Sequence, residues 1–254
     1  MNQAQLLLAG RLDMTVTSNS LLALNYAQEK LPAVAVAAFF QKDPSVLIAH
    51  AGQGNDSFEA LRGKAVMLGA DARAGWWNFL KARFGYTDAQ VRPYTFNLQP
   101  FAASKAAIQE GYATSEPFSI EKETGEAPVV LMLADAGFDG YGCLVSVREA
   151  LIEAHPDVVR RFVEASREGW ASYLHGDPAP GNALIRRDNP EMPEALLAYG
   201  RQALIDRGIV DSGDGIGMMT EARWEHFARA MEEEGLYPKD LDWRRAYTLR
   251  FLPH

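Results

Sequence analysis

Cysteine is nearly absent: Cys143 is the one thiol in 254 residues. An intrachain disulfide and a cysteine-based zinc site are therefore excluded, and Cys143 reads as a small buried hydrophobe. Histidine is scarce too. His50, His155, His175, His226 and His254 lie too far apart to form a metal-binding pair on one helix face. No metal and no cofactor is expected. Cationic charge is in deficit, with 25 Lys and Arg against 33 Asp and Glu and a net charge of −8. The basic pairs Arg160-Arg161, Arg186-Arg187 and Arg244-Arg245 are scattered beside acids. They read as solvated helix faces, and no nucleic-acid partner is expected. Long apolar runs are missing as well. The longest, Ala33 to Phe40, has the length of a buried strand and is far short of the roughly 18 residues of a membrane span.

Several catalytic signatures are also missing. There is no G-x-S-x-G elbow, no G-x-G-x-x-G after a strand and no P-loop. The Gly/Asp-rich stretch Asp211 to Gly217 lacks the closing glutamate of a calcium loop and reads as a surface loop. The opening residues show no basic n-region, no long apolar stretch and no cleavage site, so no signal peptide is visible.

The remainder is ordinary globular composition, 48% hydrophobic and 23% charged. Polar residues, then Leu6-Leu7-Leu8, then Gly10 predict a short opening helix stopped by glycine. Alternating Leu12, Met14 and Val16 predict a strand over 11–17. Asn19 and its neighbouring serines suit an N-cap for a helix over 21–30. Strands are expected over 34–40, 46–51, 64–68, 91–96, 112–114, 129–133 and 143–147. Helices are expected over 56–61, 75–84, 99–109, 148–154, 156–174, 193–206 and 220–234. Strand and helix alternate up to 147, which implies parallel α/β layers. Helical periodicity dominates afterwards. The extended segments at 41–44 and 135–141 suggest two lobes with a cleft between them.

In open α/β sheets ligands gather beyond the carboxyl ends of strands. Four loops occupy such places: Thr17-Ser18-Asn19-Ser20, Gly69 to Arg73 ahead of Trp76 and Trp77, Asn97-Leu98-Gln99-Pro100, and Ser115-Glu116-Pro117. Pro117 disfavours helical geometry at Glu116, which places that carboxylate at a strand edge.

The segment FNLQPFAASKAAIQEGYATSEPFSIEKETG (96–125) resembles the substrate-binding proteins of ABC importers in the nitrate/sulfonate/taurine and thiamine-pyrimidine-precursor group. GRLDMTVTSNSLLAL, VAAFFQKDP and FDGYGCLVSVREALIEAHPDVVRRFVEASREGWASYL are similar to that group's first ligand loop, crossing strand and return strand. The resemblance implies the type II periplasmic-binding arrangement, two hinged α/β lobes. One lobe would comprise 1–43 and 146–254, the other 44–145. Relative to the family pattern, the first lobe begins after a β-α-β unit. The resemblance further implies a periplasmic, monomeric, non-enzymatic solute receptor that presents its lobes to an ABC permease. In such a receptor Trp76 and Tyr141 would stack on a ring. Ser18, Asn19, Gln41 and Asn97 would read its polar edges, Glu116 would accept from a ring amine, and Arg73 would meet an anionic substituent. The ligand expected is a small heteroaromatic or anionic solute such as a pyrimidine or a sulfonate. The alternative is an enzyme like the fungal thiamine-pyrimidine synthases, whose iron-linked, cysteine-rich segment has no counterpart here.

Overall fold

The computed structural model describes residues 3–253. The chain opens with α1 (Gln3–Leu8), β1 (Met14–Asn19), α2 (Ser20–Gln28) and β2 (Ala33–Phe40). Next come β3 (Ser45–Ala49), β4 (Val66–Leu68), α3 (Ala70–Ala74), α4 (Trp77–Phe84), β5 (Val91–Pro93) and α5 (Gln99–Ala102). These are followed by β6 (Ile108–Tyr112), α6 (Glu116–Thr124), β7 (Val129–Met132) and β8 (Gly142–Arg148). The rest is helical: α7 (Glu149–Ala154), α8 (Pro156–His175), α9 (Ala179–Asp188), α10 (Glu194–Asp206) and α11 (Glu221–Glu233). Among the described residues no helix is long and apolar enough to cross a membrane.

Two sheets form. One has the order β1-β8-β2, the other β5-β4-β6-β3-β7. The expected parallel pairing holds for β4 with β5 and with β6. It fails for β8 against β1 and β2, and for β3 against β6 and β7, all of which are antiparallel. The reason is connectivity. β3 and β8 enter their sheets from the other sheet with no α-helix between, so no helical crossover returns them parallel to their neighbours.

Several element boundaries differ from the sequence reading. The helix expected over 99–109 stops after one turn at Ala102, and Ile108–Tyr112 is a strand. Ile108, Gln109 and Glu110 are all buried there, so the apolar-polar period that identifies a helix or a half-exposed strand is lost. The strand expected over 112–114 ends at Tyr112. Helix α6 was not expected at all. Pro117 sits in its first turn, where a missing N–H leaves no intrahelical bond unmade. Helix α9 was not expected either; it has no buried residue, and Leu184 and Ile185 are exposed on it. In β1 the buried side chains are Thr15 and Thr17, while Val16 is 51% exposed, the reverse of the expected alternation. Thr17 Oγ1 donates to the Leu144 carbonyl at 3.3 Å, which lets a hydroxyl occupy the inner face.

One apolar cluster runs through both sheets, joining Ala38 and Phe39 of β2, Leu47 of β3, Trp77 and Phe79 of α4, and Trp224 and Phe227 of α11. Phe138 lies between Phe79 and Phe227, with ring centroids 5.5 Å from each. The chain crosses between the sheets twice, after β2 and before β8, and α11 grips both crossings. Thr220 caps this helix. Arg223 then donates to the Gln41 carbonyl on one crossing and to the Asp139 carbonyl, 2.9 Å away, on the other. Its guanidinium also lies 4.4 Å from the centre of the Tyr141 ring. Gly140 completes the fit, because a Cβ there would come within 2.8 Å of the Phe227 ring. Lys42 and Asp135 pair across the crossings at 2.6 Å.

Arg223→Ala leaves two carbonyls without their shared donor, and each loss costs about 1–3 kcal/mol. The expected outcome is a melting temperature lowered by several degrees in thermal denaturation. Arg223→Lys recovers only part of it, since an ammonium lacks the planar fork that spans two acceptors.

Candidate functional site

A cavity of about 770 Å³ lies between the two sheets. From the first sheet it takes Val16, Thr17, Ser18, Asn19, Phe40 and Cys143. From the second sheet and its loops come Tyr94, Phe96, Glu110, Tyr112 and Glu116, with Asp71 and Trp76 from the helical segment after β4 and Asp43 from the first crossing. Five aromatic rings and four carboxyl groups thus share the wall. Among the described residues none of the lining side chains is Lys, Arg or His.

Four of the residues read from sequence reach this wall: Ser18, Asn19, Trp76 and Glu116. Each is placed by local structure. Asn19 caps α2, its Oδ1 accepting from the Leu21 N–H at 3.2 Å. Trp76 sits at the junction of α3 and α4 and is 6% exposed, whereas Trp77 turns into the core and donates to Asp88 at 3.1 Å. Glu116 is the first residue of α6 rather than a strand-edge residue. Its carboxylate accepts from the Tyr112 N–H at 2.8 Å and from the Ser115 hydroxyl, closing the turn between β6 and α6.

The other four lie elsewhere. Gln41 is buried and its amide donates to the Ala38 and Met218 carbonyls, each at 2.9 Å, so it braces the crossing. Tyr141 is 1% exposed and packs on Trp224, its hydroxyl accepting from the Thr220 N–H at 2.9 Å. That ring is core and has no face to offer a ligand. Arg73 is exposed on α3, outside the cavity wall. Asn97 is exposed and accepts from the Gln99 N–H at 3.0 Å, a local turn bond ahead of α5.

Sequence reasoning missed Phe40, Tyr94, Phe96, Tyr112 and Glu110. Phe96 is 74% exposed, stands over Tyr94 with ring centroids 5.1 Å apart, and holds a left-handed backbone at φ 60°. Cys143 shares that conformation, with φ 47°. Strained non-glycine backbone concentrates at functional sites, and both residues line this cavity. Nothing in the sequence marks a left-handed phenylalanine.

Glu110 has a strongly perturbed environment in the cavity. Burial in β6 pushes its carboxyl up to about 7, opposed by the Gly69 N–H that it accepts and reinforced by the Glu116 and Asp71 charges. A Cβ at Gly69 would lie 2.8 Å from Glu110 Oε1, so a larger residue there would push that carboxylate aside. Burial also pushes Tyr94 up to about 12, helped by the Glu116 charge. Asp43 is raised by burial too, against the hydrogen bonds that it accepts from Ser45.

A carboxyl that binds its proton more tightly folded than unfolded makes stability fall as pH rises, from the ordinary carboxylate range up to about 7. Above that pH the folded protein carries the full desolvation penalty. Glu110→Gln removes it. The variant is expected to melt above the wild type at about pH 8, with the difference shrinking toward zero at about pH 5. Calorimetry at the two pH values checks this, and a pH-independent difference would contradict it.

Residues 1–179 match the family described as NMT1/THI5 like. The riboflavin-binding protein RibY of Chloroflexus aurantiacus is 26% identical over 247 residues, 93% of this chain and 70% of that protein. Among solved structures, the periplasmic aliphatic sulphonate binding protein SsuA from Escherichia coli superposes with a TM-score of 0.70 at 12% identity, covering 96% of this chain and 78% of that one. The desulfurization enzyme DSZB superposes with a TM-score of 0.52 at 12% identity, over 94% of this chain and 83% of that one. At such identities the likeness is one of fold, and the fold shared is the two-sheet α/β architecture of periplasmic binding proteins. With the family match spanning well over half of its length, the chain belongs to the NMT1/THI5-like family.

Proposed function

We propose that this protein is the solute receptor of an ABC importer, and that the cavity between its sheets takes a flat heteroaromatic solute that is not an anion. The observation that carries the reading is the wall itself. Rings from Phe40, Trp76, Tyr94, Phe96 and Tyr112 surround a space large enough for a small aromatic ligand, and no lining side chain among the described residues is a cation. Aromatic rings recognise flat ligands by offset or edge-on stacking, worth about 0.5–1.5 kcal/mol per pair beyond buried area. A sulfonate or nitrate would meet Asp71, Glu110 and Glu116 with no compensating charge. The likeness to a riboflavin-binding relative supports a planar ring, and the SsuA-type neighbours support the receptor role.

In this reading two lobes close on the solute about the crossings held by Arg223, with the expected boundary at 145 moved back to about 141 because β8 pairs with β1 and β2 from Gly142 onward. A membrane permease then receives the closed form, and the working compartment is the periplasm. Ser18 and Asn19 read polar edges from one lobe, and Glu116 accepts a donor from the other. Cys143 lines the cavity, but burial pushes its thiol up to about 11, which keeps it protonated and unsuited to nucleophilic attack. The fold likeness to the desulfurization enzyme DSZB is the one observation on the side of an enzyme, and the receptor reading is preferred for the aromatic wall and the SsuA-type neighbours.

Isothermal titration with riboflavin, 4-amino-5-hydroxymethyl-2-methylpyrimidine, taurine and nitrate tests the reading. At least one ring compound is expected to bind at micromolar concentration or below, and neither anion is. Tight binding of taurine or nitrate would overturn the choice of solute, and silence across a broad panel would overturn the receptor. Phe96→Ala is expected to weaken the ring compound about 10-fold or more, with little change in the melting temperature of the empty protein, because an exposed side chain contributes little to folding.

A further inference from the structure

Four carboxyl groups line the cavity, and three are already committed or exposed. Asp43 accepts from the Ser45 N–H at 2.8 Å, Glu116 closes the turn after β6, and Asp71 lies exposed on α3. Glu110 differs. It is 9% exposed, and one oxygen is engaged by the Gly69 N–H. Its Oε2 is buried without a partner, the only such side-chain oxygen among the described residues of the wall. A buried acceptor left unpaired in an otherwise satisfied wall is costly to maintain, and a small rotation of the side chain toward the cavity would let it take a donor. Around it stand the Asp71 and Glu116 carboxyls, the Tyr94 and Tyr112 hydroxyls, Asp43 at the crossing and the Cys143 thiol. All of these are acids, and none can supply a positive charge.

We infer that the free oxygen of Glu110 recognises a positively charged heteroaromatic, a flat ring whose delocalised cation carries N–H donors, held against the aromatic wall. This deepens, and rests on, the receptor reading above. The chemistry of the pocket is consistent at three levels. The ring faces of Tyr, Trp and Phe attract delocalised cations. The carboxylates supply the counter-charge, and the Glu110 oxygen gains the donor it lacks.

A proton balance follows. In the empty cavity near neutral pH, Glu110 is divided between its acid and carboxylate forms. The carboxylate accepts an N–H from a cation much more strongly than the neutral acid does, so binding favours release of the proton to solvent. Apparent affinity then scales with the fraction of protein in the competent form. One pH unit below the point of half-ionisation, that fraction is roughly one in eleven. Affinity for a cationic ring is therefore expected to rise about 10-fold between about pH 6 and about pH 8, while a neutral ring of similar size is much less sensitive.

The test uses the whole chain and three flat tricyclic probes: proflavine as the cation, riboflavin as the neutral ring and anthraquinone-2-sulfonate as the anion. Fluorescence or calorimetric titration at pH 6, 7 and 8 is expected to rank proflavine first and to show its affinity rising about 10-fold over that range. Glu110→Gln is expected to cost proflavine about 10-fold at pH 8 and to flatten its pH profile, with melting temperature confirming the fold. The wild-type profile alone remains decisive should the variant not fold. Proflavine binding that is independent of pH, or unchanged in Glu110→Gln, overturns the inference, as does tighter binding of the sulfonate. If riboflavin binds and proflavine does not, the receptor reading stands and this inference falls. Loss of all binding, together with silence from the solute panel above, would remove both.

Discussion

The structure depends on how two short segments cross between two sheets. β2 passes into β3 through residues 41–44, and the chain returns to β8 through the segment that ends at Tyr141. Each crossing exposes carbonyls that no sheet partner can satisfy. Arg223 on α11 answers both, with one guanidinium donating to Gln41 and Asp139 and lying over Tyr141. The same helix sends Trp224 and Phe227 into the apolar cluster that spans the sheets. A clamp built on one side chain allows the geometry of both crossings to be set from a single helix. Because the cavity walls hang from those crossings, the relative placement of Asn19 and Glu116 follows from it.

The cavity combines features that act against stability. Glu110 is desolvated beside other acids, and Phe96 and Cys143 hold left-handed backbone. Phe96 exposes a large apolar ring to solvent. Each is unfavourable in the empty protein, and all meet in one place. Local conflicts of this kind concentrate at functional sites in proteins generally, which is why the cavity is the candidate site. The surrounding architecture makes them tolerable. Gly69 brings a backbone N–H to Glu110, and Tyr94 receives a hydrogen bond from buried Gln109 at 3.2 Å.

The same architecture serves a sulphonate-binding protein and a desulfurization enzyme among the structural neighbours, so the fold does not choose a chemistry. The choice rests on what lines the cavity. In the receptor reading proposed above, its rings and carboxyls serve as a recognition surface for a flat, donor-bearing solute.

Much of the frame could be read directly from local physics. Gly10 stops α1, Pro156 opens α8, Thr220 caps α11, and the apolar run at 33–40 is the buried strand it promised. These depend on backbone geometry and periodicity, which are local. The loops carrying Ser18, Asn19, Trp76 and Glu116 were legible because strand ends are where open sheets gather ligands. What sequence alone misjudged depends on contacts across the chain. Whether Gln41 and Tyr141 face a ligand or the core is decided by α11, about 80 to 180 residues away. Thr15 and Thr17 turn inward and Val16 outward because β8 supplies a carbonyl to Thr17. Glu110 carries no local mark at all. Its special character comes from Gly69, Asp71 and Glu116 converging on one buried oxygen, and only the tertiary structure brings those charges together.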